Sequence, residues 1–340
     1  MTPSPSLRVL IRVDAGPEIG VGHAMRCATL AAALDAAGHR VRVVTTGLAP
    51  FVRDRFERSH ADVTNLGDRS LDEVISDAGV DVCLIDGYLL GDDVRRAAAT
   101  GVVVVAIDDN RELPVESTDV VVNQNLHAVD VDYPTDTGTR YLLGPDYALI
   151  RDDVVGLDRS SAGGGDVLVS FGGSDPKRLT LPTVDQVVQR IDAPVVVALS
   201  ATHTDRPALD RLIERSDGLV RLADQNLTEA FATVDVAIIG GGSTLWEVAH
   251  LGIPTVAAIV ADNQVDGSRA AEAAGFVSVL DCRNDDPVDE AARCVDAASA
   301  LIDDDSVASS LAAVGCEMFD GHGPQRVVAA ITDTVANRPT

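Results

Sequence analysis

His23 is the residue best suited by type and position to move a proton. It stands in Asp14-Ala-Gly-Pro-Glu-Ile-Gly-Val-Gly-His-Ala-Met-Arg26, between a β-branched run and an alanine-rich stretch. A histidine in the first turn of a helix lies at the positive end of the helix dipole, which favours the neutral imidazole that a general base requires. A hydrogen bond to a backbone carbonyl is the structural alternative for the same residue. Gly16, Gly20 and Gly22 let the backbone approach a ligand, but Pro17 and the broken third glycine argue against a dinucleotide fingerprint. Arg26 follows three residues later on the same helical face, where it suits a phosphate, an acidic group or a salt bridge.

A second glycine-rich loop carries a different chemistry. After the run Val234 to Ile239 comes Gly240-Gly-Gly-Ser-Thr-Leu-Trp-Glu247, a helical stretch to about Leu251, and then Gly252 and Pro254 as stop signals. Gly241 and Gly242 offer backbone N–H groups at a helix start, and Ser243 and Thr244 add hydroxyls, which together make an anion seat fit for a diphosphate. No Lys follows the glycines, so this is not a P-loop. Glu247 has two readings: Thr244-x-x-Glu247 matches a capping box, and a carboxylate there also suits a ribose diol. Ser170, Gly172 and Gly173, with Ser174 and Asp175, form a polar rim after another apolar run, suited to sugar hydroxyls, to a phosphate or simply to a turn. Asn263 and Gln264 end a further strand and have amides for a sugar or phosphate oxygen, with a plain turn as the alternative.

These loops need strands and helices to hold them. Short apolar runs at 8–13, 40–45, 82–85, 102–107 and 120–123 alternate with helical stretches at 26–37 and 50–59. The rhythm restarts at 166–171, 194–199, 219–222, 234–239, 255–260 and 276–280. That alternation predicts an α/β chain with two Rossmann-like, doubly wound parallel domains facing a central cleft, with ligands outside the carboxyl ends of the strands. The expected division is residues 1–155 for a first domain, 156–165 for a linker, and 166–325 for a second domain. Residues 326–340 would form a last helix that either continues the second domain or crosses back to the first.

Composition narrows the partners. The 340 residues carry 27 Lys+Arg against 53 Asp+Glu, a formal charge of −26, which excludes a nucleic-acid footprint. Asp occurs 42 times to 11 for Glu, and Arg 26 times to the single Lys177, the texture of a surface adapted to high salt. The longest apolar stretch, Val248 to Ala261, is too short for a membrane span and is interrupted by Gly252 and Pro254. Met1 to Ser6 lacks the pattern of a secretory signal. Cys27, Cys83, Cys282, Cys294 and Cys316 form no CxxC pair, so reduced thiols in a cytoplasm are expected, with no metal and no cofactor. Asp108-Asp109 read as a loop or an acidic surface. The oligomeric state is left open.

Taken in order, IRVDAGPEIGVGHAMR, LIDGY, AIDDN, VVNQN, LLGPDYALIR, VLVSFGGSDP, IIGGGSTLWEVAHLGIPTVAAIVADNQ and MFDGHGPQRVV resemble the UDP-sugar hydrolases of pseudaminic acid biosynthesis. That family acts on UDP-2,4-diacetamido-2,4,6-trideoxy-β-L-altropyranose and lies within the glycosyltransferase-B group. The match runs from about Arg8 to Val328. The resemblance implies a UDP-sugar substrate, with Gly241, Gly242, Ser243 and Thr244 on the diphosphate and Glu247 on the ribose. It also implies that His23 activates water for inverting attack at the anomeric carbon, that Tyr88 lies beside the sugar, and that Asn263 lies near the pyrophosphate. A glycosyltransferase of the same group is the alternative. Arg178 and His322 depart from the family's pattern, and Arg178 leaves the identity of the sugar open.

Overall fold

In the computed structural model, residues 6–16, 21–159, 164–172, 175–199, 203–223 and 227–338 are described. Gly20, Gly173, Ser174 and part of the expected linker lie outside them. The chain divides into two compact units, residues 1–150 with 321–340, and residues 151–320.

The first unit is built on seven strands among the described residues: β1 (Arg8–Val13), β2 (Arg40–Thr45), β3 (Asp62–Asn65), β4 (Val82–Asp86), β5 (Val103–Ile107), β6 (Val120–Asn123) and β7 (Arg140–Leu143). All pair in parallel, in the order β3-β2-β1-β4-β5-β6-β7. Strands covered on both faces have no need to alternate apolar with polar, and β4 and β5 are buried at every position. Val9, Ile11 and Val13 of β1 enter the core under α1 (Gly22–Ala36) and α2 (Pro50–Arg58). Leu10 faces the other way, under α3 (Leu71–Ala78) and α4 (Gly91–Ala99). On that second face Arg12 is buried too, its charge met by Asp14 at 2.6 Å and by Asp93 of α4 at 2.9 Å. Local chemistry sets the helix ends: Ser70 and Glu73 form a reciprocal capping box at α3, and Gly79 closes it at φ +56°.

The second unit begins with the short α5 (Asp152–Val155). Its sheet holds six parallel strands among the described residues: β8 (Asp166–Ser170), β9 (Val195–Val197), β10 (Val220–Leu222), β11 (Val234–Gly240), β12 (Thr255–Ile259) and β13 (Ser278–Asp281). Their order is β10-β9-β8-β11-β12-β13. Around them run α6 (Thr180–Arg190), α7 (Arg206–Arg215), α8 (Leu227–Phe231), α9 (Thr244–His250), α10 (Val265–Ala274), α11 (Pro287–Asp303) and α12 (Asp305–Met318).

The last helix, α13 (Gly323–Ala336), belongs to the first unit, where Val327, Val328, Ala330 and Ile331 join the same core as β1 and α1. Its entry is tight: a Cβ on Gly323 would lie 2.1 Å from the carbonyl oxygen of Ala148. At the other boundary the first unit closes at Ile150 rather than at 155, because Arg151 is engaged within the second unit.

The expected strands recur with small shifts, and two strands are additional. β3 is a four-residue edge strand with only Val63 partly buried, and β7 is an edge strand whose alternation is too short to read. Among the described residues no helix is long and apolar enough to cross a membrane. Four of the cysteines are buried thiols and Cys316 is exposed.

Candidate functional site

In each sheet the chain reverses its direction of strand addition once, between β1 and β4 in the first and between β8 and β11 in the second. A crevice opens at such a switch point beyond the carboxyl ends of the strands. The loops predicted after β1, β8 and β11 lie at these two points, and the Asn263-Gln264 loop follows the neighbouring β12.

At the first, His23 opens α1 directly after β1, and Asp86 ends β4, paired in register with Val13. Strand pairing thus brings together two residues far apart in sequence: His23 Nδ1 lies 2.7 Å from Asp86 Oδ1. Asp86 is fully buried. Burial opposes its ionisation, but the charges and hydrogen bonds of Arg26 and His23 outweigh that cost and hold its carboxyl well below the usual range. An ionised carboxylate can only accept, so His23 Nδ1 carries the proton and Nε2 keeps the lone pair. The ring of Tyr88 stands edge-on to the imidazole, with centroids 4.5 Å apart at 86°.

Arg26 is not available to an incoming anion. Its Nε and Nη2 each donate to Asp86 at 2.7 Å, and its Nη1 donates to both oxygens of Asp109, at 2.9 and 2.8 Å. The salt-bridge alternative for Arg26 therefore holds and the phosphate alternative does not. Asp109 in turn accepts from Asn125 Nδ2 at 2.7 Å, and Asn123 Nδ2 donates to its carbonyl at 2.8 Å. Of the two readings of Asp108-Asp109, the loop holds and the acidic surface does not. Asp108 is buried and accepts from the amides of Asn110, Glu112 and Leu113, which fixes the loop after β5. Tyr88, Glu112 and Leu113 line both the narrow crevice at His23 and an adjoining basin of about 420 Å³, a volume within the range of small-molecule sites. Gly22, exposed at the start of α1, has open space where a side chain would begin.

Among the described residues the second switch point shows no such cluster of ions, and the buried Asp175 carboxylate accepts from the amides of Leu179 and Thr180. Ser170 ends β8 and is buried, and Gly172 follows it, exposed, at φ +83°. Across from them, among Gly240, Gly241 and Gly242 it is Gly241 that packing requires, and Gly242 has open space where a side chain would begin. A Cβ on Gly240 would meet the Phe171 backbone at 3.5 Å, and one on Gly241 would lie 2.2 Å from Ser268 Oγ of α10. The Gly241 amide donates to the Ala258 carbonyl and the Gly242 amide to the Gly240 carbonyl. The expected row of consecutive donors is therefore partly consumed by the fold itself. The donors that remain for the expected anion seat are those of the first turn, the amides and hydroxyls of Ser243 and Thr244, because the first N–H groups of a helix have no carbonyl behind them.

Within this unit Glu247 does not take up the capping-box reading. No side-chain cap bond forms at α9; instead its carboxylate receives Arg151, Nε to Oε1 at 2.5 Å and Nη2 to Oε2 at 3.0 Å, in a pair almost wholly buried. Gln264 Oε1 accepts from the Val260 amide and so staples the loop after β12, while Asn263 is exposed beside it. No cluster of three or more metal-ligating side chains occurs among the described residues.

Sequence reasoning missed Asp86, Asp109, Asn125 and Arg151 as site residues. All four do stand within quoted motifs, Asp86 in LIDGY, Asp109 in AIDDN, Asn125 in VVNQN and Arg151 in LLGPDYALIR.

Comparison with known proteins bears on what such a site does. No family model matches the chain. An uncharacterized protein of Methanocaldococcus jannaschii is 23% identical over 266 residues, covering 74% of this chain and 55% of its own length. The spore coat polysaccharide biosynthesis protein SpsG of Bacillus subtilis is 25% identical over 162 residues, 44% of this chain and 47% of its own. The chain thus spans about half the length of the curated relatives it matches. Among solved structures, a Staphylococcus aureus MnaA–UDP complex aligns with a TM-score of 0.69 at 15% identity, over 98% of this chain and 99% of that one. The UDP-GlcNAc 2-epimerase of Neisseria meningitidis bound to UDP-GlcNAc aligns with a TM-score of 0.67 at 13% identity, over 96% and 100%. The spinosyn rhamnosyltransferase SpnG gives 0.66 at 16%, over 98% and 100%. These likenesses establish the fold, two Rossmann-like α/β units of the glycosyltransferase-B type.

Proposed function

We propose that the chain is an enzyme acting on a UDP-linked sugar, in which His23 Nε2 removes the proton of a hydroxyl that attacks the anomeric carbon. The observation that carries this reading is the His23–Asp86 contact at a switch-point crevice, since it assigns the tautomer a base needs. Oxygen of the attacking group bonds to the anomeric carbon as the carbon–oxygen bond to UDP breaks. UDP leaves with the electron pair, the proton goes to His23, and configuration inverts. A diphosphate is already a good leaving group, so the remaining work is to orient the nucleophile and to stabilise departing charge. The second unit supplies donors for that charge at Ser243 and Thr244, with Ser170, Gly172, Asn263 and Gln264 around the nucleotide and Glu247 toward the ribose. Tyr88 beside the imidazole is the sugar contact on the first unit.

Transfer to an acceptor hydroxyl is the better supported form of the reaction, because a rhamnosyltransferase shares the fold and a relative is named for polysaccharide biosynthesis. Hydrolysis, with water as nucleophile, is favoured by the motif order from GHAMR to GGGSTLWE. The deciding experiment incubates the protein at high KCl with UDP-N-acetylglucosamine or the UDP-diacetamido-trideoxy sugar, with and without a saccharide acceptor, and follows UDP and sugar by NMR. UDP release that needs the acceptor supports transfer, release into free sugar at full rate supports hydrolysis, and an epimerised nucleotide or no release overturns the proposal.

A further inference from the structure

The base is backed by a series of charges rather than by a single carboxylate. Behind His23 stands Asp86, behind Asp86 the guanidinium of Arg26, and behind Arg26 the carboxylate of Asp109, both of whose oxygens accept from one nitrogen of Arg26. Asp109 does not swing freely. Asn125 Nδ2 holds its Oδ1 at 2.7 Å, and Asn123 fixes Asn125 in turn, accepting from its amide and its side chain at 3.1 and 2.9 Å. The strands therefore position this outer carboxylate as deliberately as the inner one, with Asn123 closing β6 and Asp109 following β5.

Two carboxylates sharing one guanidinium compete for its charge. We propose that Asp109 is a positioning residue for proton acceptance at His23: by drawing on Arg26 it leaves Asp86 a stronger acceptor for the imidazole N–H, and so sets the pH at which the base becomes occupied. The proposal rests on the reading of His23 as the base. The charged and titratable groups facing His23 are Arg26 on its own helix, Asp86 at the end of β4, Tyr88 beyond it, and Asp108, Asp109 and Glu112 on the loop after β5. Of the acidic ones, Asp108 spends its carboxylate on three amides, and burial raises both it and Glu112. The contact of Arg26 Nη2 with His23 Nδ1 at 3.1 Å joins two donors, so it adds repulsion that the carboxylates offset. Without the charge on Asp109, that repulsion acts with less compensation and the imidazole is harder to protonate.

The test is a pH titration of the histidine ring nitrogens by NMR in the ¹⁵N-histidine-labelled chain. His23 is distinguished from the other six of the seven histidines by its loss in His23→Gln. Asp109→Asn should lower the His23 midpoint by about half a unit to one unit, and Asp109→Glu should restore most of it. Asn125→Ala, which removes the clamp and keeps the charge, should move it less and guards against a variant that fails to fold. Thermal melts establish that each variant is native. If turnover is present, the acid limb of kcat/KM moves with the ring midpoint while KM for the UDP-sugar stays put. A midpoint that does not move, or that rises, overturns the coupling. A wild-type protein that releases no UDP defeats the base reading, and the ring titration still decides whether Asp109 acts on His23.

Discussion

The two switch points hold opposite solutions to the same topology. In the first unit the crevice is floored by ions, His23, Asp86, Arg26 and Asp109, packed so closely that each polar atom of the arginine is engaged. In the second the corresponding turn is glycine and hydroxyl, and its charged pair, Arg151–Glu247, is largely buried. A buried network can hold a proton acceptor in one tautomer, because moving any member leaves an unpaired charge behind. A turn of amides and hydroxyls suits an anion that must arrive and depart, because its donors need no counter-ion. In a chain of net charge −26 that division has a use: the nucleotide would be met by dipoles at close range, where the long-range field of the surface counts least.

The comparison can be broken most severely at His23. His23→Ala should lower UDP release about 10²- to 10⁴-fold while the affinity for UDP, measured by calorimetry, stays unchanged; equal losses in both would mean that the two points do not divide the labour. Next in size is the buried pair of the second unit. Glu247→Gln leaves the Arg151 guanidinium with only Asp153, at 3.9 Å, as a carboxylate partner and should cost about 3 kcal/mol in urea unfolding of the whole chain, whereas a loss below about 1 kcal/mol would mean that Asp153 or water compensates the arginine. Gly241→Ala comes third: its new methyl meets Ser268 Oγ and should cost about 1–3 kcal/mol, most of which Ser268→Ala in the same chain should return. No return would place the strain elsewhere in the turn. Smallest per residue is the surface: if the acidity is a salt adaptation, the melting temperature should climb with KCl into the molar range, where the Debye length is about 3 Å, and a flat response would contradict it.

Acid should discriminate the points as well. Asp86 titrates lower folded than its unfolded value of 3.8, so its contribution is fully present above that value and is lost as pH falls below it. The first unit should lose tertiary signal over that acid range, with an Asp86→Asn chain flatter there.

Much of the architecture was legible because parallel strands covered on both faces are nearly pure apolar runs, and β1, β4, β5, β11 and β12 announce themselves. Edge strands do not: Asp62-Val-Thr-Asn65 has one inward side chain and looks like a turn. The histidine could be found from its glycines and its helix, but its partner could not. Asp86 is a single acidic residue closing Val82-Cys-Leu-Ile-Asp86, and only the pairing of β1 with β4 carries it to His23. Spacing along one helix put Arg26 on the face of His23, yet it says nothing of carboxylates contributed by β4 and the loop after β5. The glycines after β11 misled in the other direction, since a sequence shows where a Cβ is absent and not whether a ligand or Ser268 needs the room.

The return of α13 to the first core has a consequence for synthesis. Val327, Val328 and Ile331 are made after every residue of the second unit, yet they complete packing begun by β1 and α1. The unit that starts first on the ribosome is therefore the one that finishes last, with an apolar patch uncovered while the second unit can already close. For this chain the first core waits on its last helix, and a stall before Gly323 would leave that core without Val327, Val328 and Ile331.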